Sequence, residues 1–200
     1  MDDRGNNDSW LKFYEKAINR PHSPRTERAA SLNETSVKIA IDCGCGTGND
    51  INYLNTVGYE VFGFDIDSDS VALCKDRFCE DLSVKIVQSS FKEFEYVDAS
   101  LIIANASLFF VAPTHFQSVW TSIENSLING GVFAGDFMGK NDSWVNNFHM
   151  PLTTLTKDEL LNLLSNFDVI EFNERDEDGT TMIGDLKHWH IYSVVAVKRT

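Results

Sequence analysis

Asp42 ends an apolar run at residues 37–41 and is followed by glycines at 44, 46 and 48. A turn without Cβ atoms lets a ligand lie against the backbone, and an acid just ahead of it attracts a cation and repels a pyrophosphate. Asp65 ends the next apolar run, from Tyr59 to Phe64, where a carboxylate can accept both hydroxyls of a ribose. Acid, glycine turn and second acid together predict a site for a nucleoside with a cationic amino-acid end. The dinucleotide pattern G-x-G-x-x-G is not met, because Asn49 follows the third glycine.

A nucleoside of that description is S-adenosylmethionine. On these residues the chain resembles the class I S-adenosylmethionine-dependent methyltransferases, with Ile41 to Gly48 as a first motif and Gly63-Phe64-Asp65-Ile66-Asp67 as a second. The resemblance continues through Gln88-Ser89-Ser90-Phe91, a fourth strand ending at Asn105, and Leu127-Ile128-Asn129-Gly130-Gly131 before a fifth. Lys187 to His190 and Trp10 to Tyr14 further resemble small single-domain members of the tellurite-resistance or small-molecule type.

The resemblance implies that the backbone from Gly44 through Cys45 and Gly46 to Gly48 cradles the methionine part, with Asp42 beside it. It further implies that Asp65 takes the ribose, that Ile66 packs on adenine, and that Ser90 with Phe91 borders the adenine edge; Asn105 is a candidate because it ends the fourth strand, where open α/β sheets bind their ligands. Many relatives carry an acid where Ser90 stands. Asn105-Ala106-Ser107-Leu108 replaces the Asn-Pro-Pro-Tyr of relatives that methylate nucleobase amines, which argues against a nucleic-acid acceptor. The expected product is S-adenosylhomocysteine, and the expected acceptor a small molecule.

Methyl transfer is an in-line displacement that needs alignment first, and a base only where the acceptor holds its proton tightly. The candidates for such a base are His115, His188, His190 and Tyr14. His188 and His190 share one face of a late strand, a spacing able to chelate a metal; hydrogen-bonded polar residues near the rim are the favoured alternative, and no metal is expected. The four cysteines, at 43, 45, 74 and 79, lack C-x-x-C spacing, and reduced thiols fit best. His149 and Trp144 fall in a loop over 137–155, long enough to cover a substrate, and Arg20 follows a stripe of Trp10, Tyr14, Ala17 and Ile18 over residues 8–19.

The elements that must position these groups alternate. Strands are predicted at 37–42, 59–65, 83–88, 99–105, 132–136, 167–172 and 188–197, with helices at 49–57, 68–80, from Pro113 to about Leu127, and Leu160–Leu164 behind a Thr156-x-x-Glu159 capping box. Prolines 21 and 24 are read as ending the only lead-in helix, and the polar stretch 173–186 as a connection. The expected class is α/β, a Rossmann-like, doubly wound and mostly parallel sheet of seven strands. By resemblance its order is 3-2-1-4-5-7-6, the last strand antiparallel.

At 200 residues the expectation is a single methyltransferase domain over 1–200, with a lead-in at 1–36 and the sheet core at 37–200. Seventeen Lys and Arg against 30 Asp and Glu give a net charge of −13, which disfavours nucleic acid. No apolar run spans a membrane and the start is polar, so a cytoplasmic monomer or homodimer is expected. The rival classes are a nucleotide-dependent oxidoreductase and a non-catalytic protein that keeps the cofactor pocket.

Overall fold

The computed structural model describes residues 4–200, so the first three residues of the polar start lie outside the described residues. In chain order the elements are α1 (Arg4–Ala17), α2 (Pro24–Leu32), β1 (Ile39–Cys43), α3 (Asn49–Thr56), β2 (Glu60–Asp65), α4 (Ser68–Arg77), β3 (Val84–Gln88) and β4 (Ala99–Ala104). A short 3-10 turn (Leu108–Phe110) then leads to α5 (Pro113–Ser126), β5 (Leu127–Gly139), α6 (Trp144–Asn147), β6 (Thr154–Leu155), α7 (Lys157–Leu163), β7 (Phe167–Thr180) and β8 (Leu186–Lys198).

The sheet runs β3-β2-β1-β4-β5-β8-β7, with β6 paired alongside β5. β8 is antiparallel to both neighbours and the other pairs are parallel. Setting aside the two-residue β6, this is the expected order. Among the described residues the sheet therefore has eight strands rather than seven, the extra one lying inside the segment read as a loop over 137–155.

Alternation along the central strands builds a core on each face. Ile41, Ile102, Phe133 and Phe137 pack with Phe116, Trp120 and Ile123 of α5 and Leu160 of α7. Ala40, Leu101, Ile103 and Val132 pack on the other face against Ala29 of α2, Ile51 and Leu54 of α3 and Cys74 of α4. Buried on both sides, the central strands read as continuous apolar runs.

Two elements depart from expectation. Pro24 does not extend a break but occupies the first turn of α2, with the Ser23 hydroxyl accepting from the Arg25 N–H at 3.3 Å; proline suits that place because its missing donor would be unpaired there anyway. The stretch 173–186 is mostly strand, with Arg175 opposite Ile191 and Asp178 opposite His188. Its acidic composition conceals a strand because it lies on the edge of the sheet, where charge blocks further pairing.

Candidate active site

The carboxyl ends of β1, β2 and β4 meet below a cavity of about 1070 Å3 that α1 and the segments after β4 and β5 close over. The cavity lies where strand order reverses between β1 and β4, as ligand sites in open α/β sheets do. Asp42, Gly44, Cys45, Gly46, Asp65, Ile66, Ser90, Phe91 and Asn105 line it, together with Tyr14 and His115.

The turn after β1 is folded against β2, the Gly44 and Cys45 N–H groups both donating to the Phe64 carbonyl, at 2.9 and 3.0 Å. Gly44 has φ +73°, and a Cβ there would come within 2.6 Å of the Ser107 Cβ. Ser107 donates its hydroxyl to the Cys43 carbonyl at 2.5 Å, so the turns after β1 and β4 interlock. Gly46, at φ +51°, has nothing within 4 Å of where its Cβ would stand; it borders open cavity. Gly48 does not line the cavity. It sits at the start of α3 with φ +75°, and a Cβ there would meet Phe78 at 2.8 Å, so its missing side chain serves the packing of α3 on α4 rather than a ligand.

Asp42 is 3% exposed. Burial, then the negative charge of Asp50, raises its pKa well above the usual carboxylate value, and no hydrogen bond from the described residues opposes the shift. A buried carboxylate without a donor is costly unless a cation is brought to it. Asp65 is more compensated: it accepts from the Gly46 N–H at 2.9 Å and from the Asp67 N–H at 3.0 Å, and burial still leaves its pKa raised. Ile66 is 71% exposed on the cavity wall. Ser90 lines the cavity but its hydroxyl donates to Glu93 at 2.9 Å and accepts from the Glu93 N–H at 3.3 Å. Phe91 packs edge-on against Phe64 with ring centres 5.1 Å apart.

Residues the sequence reading passed over tie this floor together. Asp50 accepts from the Ser23 N–H at 2.8 Å and from the Asn105 amide at 2.9 Å. The Arg25 guanidinium donates to Asn105 at 3.0 Å and to Asp136 at 2.7 Å. Asp136 also accepts from the Ala106 N–H at 2.8 Å and the Ser193 hydroxyl at 2.6 Å. Ala106 is the one non-glycine residue with positive φ among the described residues, at +50°. Asp136 left a trace in the sequence as a lone acid in the apolar run of β5; Arg25 left none once α2 was missed.

The candidate bases separate. His115 lines the cavity at the exposed start of α5. Tyr14 is buried on α1, and burial followed by the charges of Asp65 and Asp67 drives its pKa far upward, so the hydroxyl keeps its proton. His188 and His190 do not line the cavity, contrary to their candidacy. Both lie on the outlying β7–β8 hairpin: His188 sits between Asp176 at 2.8 Å and Asp178 at 2.7 Å, which raise its pKa.

His190 Nδ1 accepts from the Asn141 N–H at 3.0 Å, which leaves the proton on Nε2, 3.2 Å from Glu174. Glu174, Asp176 and His190 bring ligand atoms within 4.8 Å of one another, but the ring presents an N–H there rather than a lone pair. The lead-in Trp10 and Arg20 and the post-β5 His149 do reach the cavity, as does Met182 from the hairpin tip, which nothing in the sequence marked.

Residues 40–131 match the family model described as a methyltransferase domain. A carboxy-S-adenosyl-L-methionine synthase of Aliivibrio salmonicida is 25% identical over 109 residues, which is 53% of this chain and 45% of that protein; the match thus spans about half of either chain. Among solved structures, TehB from Haemophilus influenzae superposes with a TM-score of 0.74 at 19% identity, covering 94% of this chain and 66% of that one. The 1,6-didemethyltoxoflavin-N1-methyltransferase of Burkholderia thailandensis, with 1,6-didemethyltoxoflavin and S-adenosylhomocysteine bound, gives 0.68 at 19%, covering 98% and 83%. At such identities the superpositions speak to the fold. Residues 40–131 thus match a methyltransferase domain, and the chain has the fold of these neighbours.

Proposed function

We propose that the protein transfers a methyl group from S-adenosylmethionine to a small-molecule acceptor by in-line displacement. The observation that carries the proposal is Asp42, a buried carboxylate beside the glycine turn on which burial and the neighbouring charges of Asp50 and Asp65 both act to disfavour its own charge. An ammonium group there removes the penalty, whereas a pyrophosphate adds to it. The cofactor supplies a methyl group activated by a sulfonium; the rest is done by the chain.

In this proposal Asp42 holds the amino-acid end, the Gly44 to Gly46 backbone lies under it, and Asp65 takes the ribose with the acceptor capacity left after Gly46 and Asp67. Ile66 and Phe91 flank the base. Ser90 contributes its position and not its hydroxyl, which Glu93 occupies. Tyr14 closes the cofactor end as a hydrogen-bond donor facing Asp65 and Asp67. His115 is the imidazole on the acceptor side, available to take a proton where the acceptor holds one. Water is excluded by α1 and by the segment 148–150, and nucleic acid is not among the acceptors proposed. The unpaired thiols suit a reducing compartment, and the setting proposed is cytoplasmic.

The test is Asp65→Ala. Losing the ribose acceptor should weaken S-adenosylhomocysteine binding by roughly 1.5 to 3 kcal/mol, read by calorimetry on a chain whose circular dichroism is native. Unchanged affinity would refute the assignment.

A further inference from the structure

The acceptor half of the cavity is walled by rings set edge and face to one another. Phe110 stands 5.9 Å from Trp10 and 5.5 Å from Phe148, and Trp10 stands 5.6 Å from Phe13. All four line the cavity and all are half-buried, so each offers part of its surface to an occupant.

This wall is anchored from behind. Phe148 leans on Trp144 at 5.1 Å, and Trp144 on Trp189 at 5.9 Å. The Lys187 ammonium lies between the two indoles, 4.1 Å from the Trp144 ring and 4.5 Å from the Trp189 ring, while bonded to the buried carboxylate of Asp142. Asp142 also accepts from the Trp144 N–H at 3.0 Å and the His190 N–H at 3.0 Å. A caged cation and a carboxylate accepting three donors fix the indoles, and the indoles fix Phe148. The wall is therefore present before any acceptor arrives, which favours a rigid, flat guest.

Charge on this side is already committed. Both oxygens of Asp50 are taken by Ser23 and Asn105, and Arg25 is taken by Asn105 and Asp136. Arg20 reaches the cavity only as an exposed side chain at its rim.

Resting on the methyl-transfer reading, we propose that the acceptor is an uncharged aromatic small molecule that lies against the continuous wall formed by the part-exposed rings of Phe110, Phe148 and α1. Ring faces and edges attract a flat π-system beyond what its burial alone supplies, and among the described residues no uncommitted buried cation lines this side to hold an anion.

The experiment loads the full chain with S-adenosylhomocysteine and titrates it by calorimetry with naphthalen-2-ol, with decahydronaphthalen-2-ol, its saturated counterpart on the same carbon skeleton, and with selenite as an inorganic anion. Naphthalen-2-ol should bind about tenfold or more tightly than the saturated alcohol, and selenite should not compete with it. Phe148→Leu and Phe110→Leu, each checked for retained S-adenosylhomocysteine binding, should erase the preference. Equal binding of the two alcohols, binding of neither, or tighter binding of selenite would overturn the inference while leaving the methyl-transfer reading intact. Failure of S-adenosylhomocysteine itself to bind would overturn that reading, and the inference with it.

Discussion

Arg25 Nη2 lies 2.7 Å from Asp136 Oδ2, joining the first turn of α2 to the middle of β5 across the floor of the cavity. The pair is mostly buried, and Asp136 also holds the Ala106 N–H and the Ser193 hydroxyl. Removing one partner leaves the other desolvated and unpaired. Asp136→Ala, which orphans three donors, should lower unfolding stability by about 3 kcal/mol, and Arg25→Met, whose site is partly open to solvent, by about 2 kcal/mol. Urea titrations with unchanged slope and shifted midpoint would bear this out; midpoints equal to wild type would contradict it.

Asp42 should trade stability for binding. Its folded pKa is raised, so its contribution is fully present below the ordinary carboxylate value and is lost as pH rises through the raised one. Asp42→Asn should therefore stabilise the ligand-free chain near neutral pH by about 1 kcal/mol while weakening S-adenosylhomocysteine. In the wild type that affinity should tighten as pH rises toward the raised value, with proton release visible as a buffer-dependent enthalpy. Binding that ignores pH and buffer would remove the ammonium from Asp42.

Tyr14 is expected to act as a donor at every pH at which the protein is folded, since burial and Asp65 both hold its proton on. Tyr14→Phe should weaken the cofactor by about 1 kcal/mol and leave the shape of any pH–rate profile unchanged. Loss of a basic limb in that profile would make Tyr14 a proton acceptor after all.

His188, flanked by Asp178 and Asp176, has a raised pKa. Its support of the β7–β8 hairpin should be complete below the ordinary histidine value and fade as pH rises through the raised one. Hydrogen exchange along the hairpin should quicken over that interval in the wild type and not in His188→Gln, with S-adenosylhomocysteine affinity the same in both. A fall in cofactor affinity would bring His188 back to the site.

The strands themselves and the acid and glycine turn at Asp42, Gly44, Gly46 and Asp65 were legible because each rests on local chemistry, an apolar run, a turn with no Cβ or an acid at a strand end, whereas the order of the strands came only with the family resemblance. What was not legible depends on partners far apart in the chain. Arg25 and Asp136 acquire meaning only when α2 is laid on β5, and α2 itself was hidden by prolines that end one helix and begin another. Gly48 fits the motif, yet its neighbour is Phe78, just past the end of α4, rather than the cavity. His188 and His190 have the right types and spacing, but the extension of the hairpin past residue 173 carries them to the sheet's edge, and Met182 at the hairpin tip reaches the cavity in their stead.

The central claim is a site for a sulfur nucleoside with an ammonium end, and the most direct measurement is a paired thermal melt with S-adenosylhomocysteine and with NAD. At a hundred times its dissociation constant, S-adenosylhomocysteine should stabilise the fold by about 2.7 kcal/mol, and NAD should leave the transition where it was. Stabilisation by NAD with none from S-adenosylhomocysteine would contradict the account at its base.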